Sequence, residues 1–126
     1  KNDSRWVHRP TADPQRYAQR LDAESLPGRV YHGFRDLIEL RKALPALSGG
    51  KLEVFSTQNG SVLGFSRFND SEKVLILVNF SERDHAIPEW VVGQNLLDQK
   101  SVLFGKAEYA ESGTLWLPSY ACVVFG

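Results

Sequence analysis

The sequence predicts a mainly β chain: an antiparallel β-sandwich of Greek-key type, preceded by one or two helices. Three observations carry this. Before Ser48-Gly49-Gly50 the apolar residues recur at three- and four-residue steps, the period of a helix. After it come short runs rich in Val, Ile, Leu and Phe, divided by turn residues, the pattern of a sandwich. In one run, Val74-Leu75-Ile76-Leu77-Val78, every position is apolar, as a central strand buried on both faces requires.

The elements follow in order. Asp13 is placed to cap a short helix with Pro14 in its first position, where a missing N–H costs nothing. Tyr17, Ala18 and Leu21 share one face of it. A second start lies at Ser25-Leu26-Pro27-Gly28. From there Val30, Tyr31, Phe34, Leu37, Ile38, Arg41 and Leu44 keep helical spacing, giving a helix of roughly four turns. Arg35 and Glu39 sit four apart and are spaced to pair. Pro45 stops the helix, because the residue before a proline is pushed out of the helical region. Strands are then expected over 51–57, 62–68 and 73–80, with Asn59-Gly60 and Asn69-Asp70 between them. An Asn-Gly pair is a hairpin signal because both residues tolerate positive φ. Shorter strands are expected over 84–87, 95–98, 101–104, 114–117 and 121–125.

Composition narrows the class. The chain has 126 residues, one domain's worth by length, with 42% hydrophobic and 24% charged residues. Fifteen basic and fifteen acidic side chains cancel, so no charged stripe argues for nucleic acid or for a basic partner. No apolar run is long enough to span a bilayer as a helix. The single Cys122 makes no intrachain disulfide, and nothing requires an oxidising compartment, which favours the cytoplasm. The chain holds no Met and opens directly on a dense polar run, so it reads as an internal or C-terminal piece of a longer protein.

Few residues have a catalytic pattern. Asp36 and Glu39 are three apart on a helix but fall on its charged outer face, a solvated surface more than a carboxylate pair. His8, His32 and His85 show no metal-ligand spacing with one another, with Cys122 or with a carboxylate, and no metal is expected. Cys122 alternates with Tyr120 and Val124 and reads as a small buried hydrophobe. The run Arg5-Trp6-Val7-His8-Arg9-Pro10 is different. Two arginines, a tryptophan and a histidine in so short a segment suit a polar pocket wall, where guanidinium forks hold carboxylates or sugar hydroxyls and indole offers a face to a sugar ring. The other reading is a surface loop with an Arg–Asp pair.

Together these segments resemble one family. Asp3-Ser4-Arg5-Trp6-Val7-His8-Arg9-Pro10 resembles the segment after the eighth barrel strand of amylosucrases, within the alpha-amylase superfamily (glycoside hydrolase family 13). Arg35 to Leu47 is similar to that superfamily's last barrel helix and its exit. Val74-Leu75-Ile76-Leu77-Val78-Asn79-Phe80-Ser81 resembles the central strand of the C-terminal sandwich. Leu117-Pro118-Ser119-Tyr120 with Ala121 to Phe125 resembles its closing strand. The helix and sandwich motifs specify the superfamily; the Arg5 to Pro10 run points to amylosucrase.

The resemblance implies residues 1–47 as the end of a (β/α)8 barrel and 48–126 as the C-terminal sandwich. It implies a parent that transfers glucosyl units from sucrose to an alpha-1,4-glucan, releasing fructose, through a covalent intermediate and without a metal or organic cofactor. The catalytic carboxylates would lie upstream, so the chain alone is expected to be inactive. Arg5 would pair with an upstream aspartate and help close the glucosyl pocket, with His8 and Arg9 in support. The apolar helix face would pack on the absent barrel and, left in water, invite self-association. Three other readings stay open: a sucrose hydrolase or generic alpha-amylase, a non-catalytic carbohydrate-binding sandwich using Trp90, Trp116 or Tyr109, and a purely structural cap.

Overall fold

The computed structural model describes residues 12–96, 101–110 and 113–126. The chain falls into two compact units, Lys1–Ile38 and Glu39–Gly126.

In the first unit, α1 (Pro14–Ala18) starts as the sequence requires. The Asp13 carboxylate accepts from the N–H groups of Gln15 and Arg16 at 3.0 and 3.3 Å, and Pro14 takes the first turn. A short 3-10 turn, Gln19–Leu21, ends the segment. α2 (Leu26–Ala43) begins at Ser25, whose hydroxyl accepts from Gly28 N–H at 3.1 Å and donates to the Asp22 carbonyl at 2.8 Å. Gly28 must be glycine: a Cβ there would run into the Asp22 carbonyl. Along α2, Val30, Phe34 and Ile38 are each more than half exposed, and Leu37 is exposed as well. The expected Arg35–Glu39 pair does not form. Arg35 meets its neighbour Asp36 at 3.4 Å, and Glu39 meets Lys42 at 2.9 Å, one turn later.

The second unit opens with the last turn of α2. Leu44 leaves the helix with φ −112° and ψ 100°, and Pro45 starts the single turn α3 (Pro45–Ser48). Two side chains from further along the chain hold this turn. The Glu72 carboxylate accepts from Ala46 N–H, and the Arg67 guanidinium donates to the carbonyls of Ala46 and Gly49 at 3.3 and 3.0 Å. They satisfy backbone groups that a four-residue helix leaves open at both ends.

Among the described residues eight strands follow: β1 (Lys51–Phe55), β2 (Val62–Phe68), β3 (Lys73–Asn79), β4 (His85–Ile87), β5 (Val102–Phe104), β6 (Glu108–Tyr109), β7 (Leu115–Leu117) and β8 (Cys122–Phe125). They form a five-stranded sheet ordered β1-β2-β3-β8-β5 and a three-stranded sheet ordered β4-β7-β6, with antiparallel pairing throughout. This is the expected sandwich. β3 is central, and its Val74, Leu75, Ile76 and Leu77 are buried on alternate faces. Leu75, Leu77, Val123 and Phe125 enter one core with Ile87, Leu115 and Leu117 of the small sheet. Val74, Ile76 and Val124 enter a second core with Ala46, against which Leu40, Leu44 and Leu47 pack.

Three further expectations need correction. The strand expected over 95–98 is not formed: α4 (Glu89–Leu96) takes the segment to Leu96, and 97–98 lie outside the described residues. The helix wins because Val91 and Val92 are adjacent and both reach the inter-sheet core, which a strand's alternation forbids. The β1–β2 hairpin forms, but the positive φ of 60° falls on Gln58 and not on Asn59 or Gly60. Instead Asn59 Oδ1 accepts from Ser61 N–H at 3.0 Å and shapes the loop from the side. Tyr120 does not alternate along β8. It sits in the turn before that strand with φ 54°, while Ala121 N–H donates to the Pro118 carbonyl.

Candidate functional site

The sequence-expected pocket residues Arg5, His8 and Arg9 lie outside the described residues. The other candidates are placed. Asp36 and Glu39 are exposed on α2, each beside a cation on its own helix, and they form no carboxylate pair. Among the described residues no group of three or more His, Cys, Asp and Glu could hold a metal ion, and no helix is long and apolar enough to cross a membrane.

The densest polar constellation is the end of β3. Asn79 is 1% exposed. Its amide donates to the carbonyls of Arg83 at 2.7 Å and Pro118 at 2.9 Å, and its Oδ1 accepts from Ser81 N–H at 2.9 Å and Ser81 Oγ at 3.0 Å. One side chain therefore ties the β3–β4 turn to the β7–β8 turn. Its own backbone N–H donates to the Ala121 carbonyl, closing the corner. Ser81 Oγ also lies 2.8 Å from His85 Nε2. A serine–histidine contact is the beginning of a nucleophile, but this one is engaged otherwise. The hydroxyl has one proton, and Asn79 Oδ1, the Arg83 carbonyl and His85 Nε2 all stand within reach of it. Asp84, which could have oriented the imidazole, accepts from Ser119 N–H at 2.9 Å instead. The corner is a structural staple.

A cleft of about 530 Å³ opens at the β1–β2 hairpin, lined by Phe55, Gln58, Ser61, Leu63 and Phe80 among others. Gly64 makes it possible. Phe55 pairs with Gly64 across the strands, and a Cβ at Gly64 would stand only 2.6 Å from the Phe55 ring. Phe80 is 65% exposed beside the cleft. With Leu52 and Val54, also more than half exposed on β1, it leaves this edge of the five-stranded sheet apolar and open.

The outer face of the small sheet holds what the sequence left ambiguous. Trp116 stands between Leu115 and Leu117, both fully buried, and is itself 44% exposed. It points outward, so it is a surface aromatic and not core. Alternation along β7 is the signal: a three-residue strand with two leucines turned inward must turn its middle residue out. Trp90 is exposed on α4, away from any strand row. Cys122 is half-buried beside the second core, and burial pushes its thiol above the ordinary value of 9.0.

No protein-family model matches the chain. Individual relatives do. Alpha-amylase 3 of Dictyoglomus thermophilum is 27% identical over 105 residues, covering 82% of this chain and 20% of that protein. A probable alpha-glucosidase of Rhizobium meliloti is 44% identical over 59 residues, covering 47% of this chain and 10% of that protein. Among solved structures, a variant of MutB from crystals soaked with trehalulose superposes with a TM-score of 0.64 at 25% identity, covering 90% of this chain and 19% of that one. The chain thus spans about a fifth or less of the length of the proteins it matches.

Proposed function

Because the chain belongs to the alpha-amylase superfamily (glycoside hydrolase family 13), as a β-rich portion of its C-terminal region, we propose that it caps the catalytic barrel of an amylosucrase-like enzyme. In this reading residues 1–47 close the barrel and residues 48–126 form the capping sandwich. The parent moves glucosyl units from sucrose to an alpha-1,4-glucan and releases fructose. One observation supports the cap above all: the exposed apolar stripe of α2, made of Val30, Phe34, Leu37 and Ile38. A helix with such a stripe belongs against another layer.

The sucrose assignment rests on the Arg5-Trp6-Val7-His8-Arg9-Pro10 run. Arg5 closes the glucosyl pocket by pairing with a carboxylate of the barrel, and His8 and Arg9 support it. A buried arginine that loses its place leaves that carboxylate uncompensated, at a cost of ~3–5 kcal/mol. Arg5→Ala in the parent therefore lowers kcat/KM for sucrose by at least about tenfold. The deciding experiment feeds sucrose to the parent and measures fructose, free glucose and glucan. Glucan with little free glucose supports the reading. Equal glucose and fructose make the parent a hydrolase, an isomeric disaccharide makes it an isomerase, and an unchanged Arg5→Ala variant returns Arg5 to a surface loop.

A further inference from the structure

We propose that the outward face of the three-stranded sheet is a binding platform for alpha-glucan, centred on Trp116, with Glu108 as its hydrogen-bond acceptor.

The register builds the platform. Ala86 of β4 and Glu108 of β6 both pair with Trp116 of β7, so the three side chains form one row across the sheet. Directly opposed residues in such a row have Cβ atoms about 5 Å apart. All three are exposed. On one side the indole is flanked by a methyl group, and Trp116 as a residue is 44% exposed. On the other it is flanked by a carboxylate that takes part in no ion pair among the described residues. A flat aromatic surface beside an oxygen acceptor suits a pyranose ring, whose C–H face stacks on indole while its hydroxyls donate to carboxylate oxygens.

The surroundings favour a sugar over a protein partner. On the strand positions of this face no Val, Leu, Ile or Phe accompanies Trp116; the inward neighbours Leu115, Leu117 and Ile87 are fully buried. A protein interface core would need a contiguous apolar patch. Such a patch exists elsewhere, at Leu52, Val54, Leu63 and Phe80 of the five-stranded sheet and its rim. The two sheets pack through one core, so Trp116 and the apolar edge strand look away from different layers. A partner seated on the large sheet leaves Trp116 in water.

The ligand class rests on the alpha-amylase reading; the platform geometry does not. The test titrates the chain with maltoheptaose, following tryptophan fluorescence and calorimetry, with cellohexaose as the comparison. Binding of maltoheptaose is expected, weakened about tenfold or more by Trp116→Ala and restored in part by Trp116→Tyr, which keeps a ring. Glu108→Gln weakens it less. Trp90→Ala leaves it unchanged. Trp116 is a surface residue, and Trp116→Gln carries the same test should the alanine variant fail to fold. The proposal is overturned by a wild-type chain that binds no maltoheptaose, or by binding that survives both Trp116 variants. It is also overturned by cellohexaose binding as tightly, or by Trp116→Ala abolishing self-association while glucan binding is absent. Sucrose turnover by the parent is a separate readout, so failure of one reading does not mask failure of the other.

Discussion

Asn79 shows how much one residue can hold. Its amide supplies hydrogen bonds to two turns, adding to the Tyr120 N–H bond to the Ser81 carbonyl and the Ser119 N–H bond to Asp84, and it does so from a site with 1% exposure. Buried, satisfied polar groups are costly to disturb because the partners stay behind. Asn79→Ala strands the Arg83 and Pro118 carbonyls and the Ser81 N–H, and unfolding in urea should show a loss of ~2–4 kcal/mol. A loss under about 0.5 kcal/mol would mean water replaces the amide, and the staple would not be one. Cys122 makes a second prediction at this scale. Burial raises its thiol, so as pH rises the unfolded chain ionises first. Its contribution is full below pH 9.0 and is lost as pH climbs through the higher folded value. Wild type should therefore lose stability above pH 9.0 faster than Cys122→Ala, and iodoacetamide should label the folded thiol more slowly than free cysteine at pH 8. Identical alkaline limbs for the two chains would rule the effect out.

At the scale of elements, the helices were legible where their ends carry chemistry. Asp13 with Pro14, Ser25, and Pro45 each announce a boundary by a local rule, and each boundary falls within two residues of its mark. α4 had no such legibility. A strand is expected over 95–98, and so short an apolar stretch as Trp90-Val91-Val92 does not announce a helix until the core on one side of it is known. β6 is two residues long and is defined by its partner Trp116 more than by its own sequence. The site residues split the same way. Trp116 could be assigned outward only once Leu115 and Leu117 were seen to be inward, and Asn79 shows its role only when both turns are in place. α2 is the element with the strongest consequence. Burying Val30, Phe34, Leu37 and Ile38 would be worth on the order of 6–12 kcal/mol, comparable to the stability of a whole domain. Left exposed, the stripe should drive association. Sedimentation velocity across concentrations should show dimers or larger species for the wild-type chain and a shift toward monomer for Phe34→Glu. A wild-type chain that stays monomeric at the highest concentration would show the stripe to be covered.

At the scale of the molecule, the described residues offer staples, clamps and a surface row but no pair of carboxylates placed to flank a glycosidic bond. The chain alone should release neither glucose nor fructose from sucrose or starch, by an enzymatic sugar assay; any release above a boiled control counts against the capping role. The sandwich itself is built unequally. β3 has a core on each of its faces, whereas β1 is an edge strand whose residues are exposed or half-buried. That asymmetry has a temporal meaning. In deuterated water the amides of Leu75, Ile76 and Leu77 should keep their protons until the whole unit opens, while amides along β1 exchange through local fraying. The middle of the five-stranded sheet is the molecule's slowest clock, and its rim, where a neighbour would settle, is the fastest.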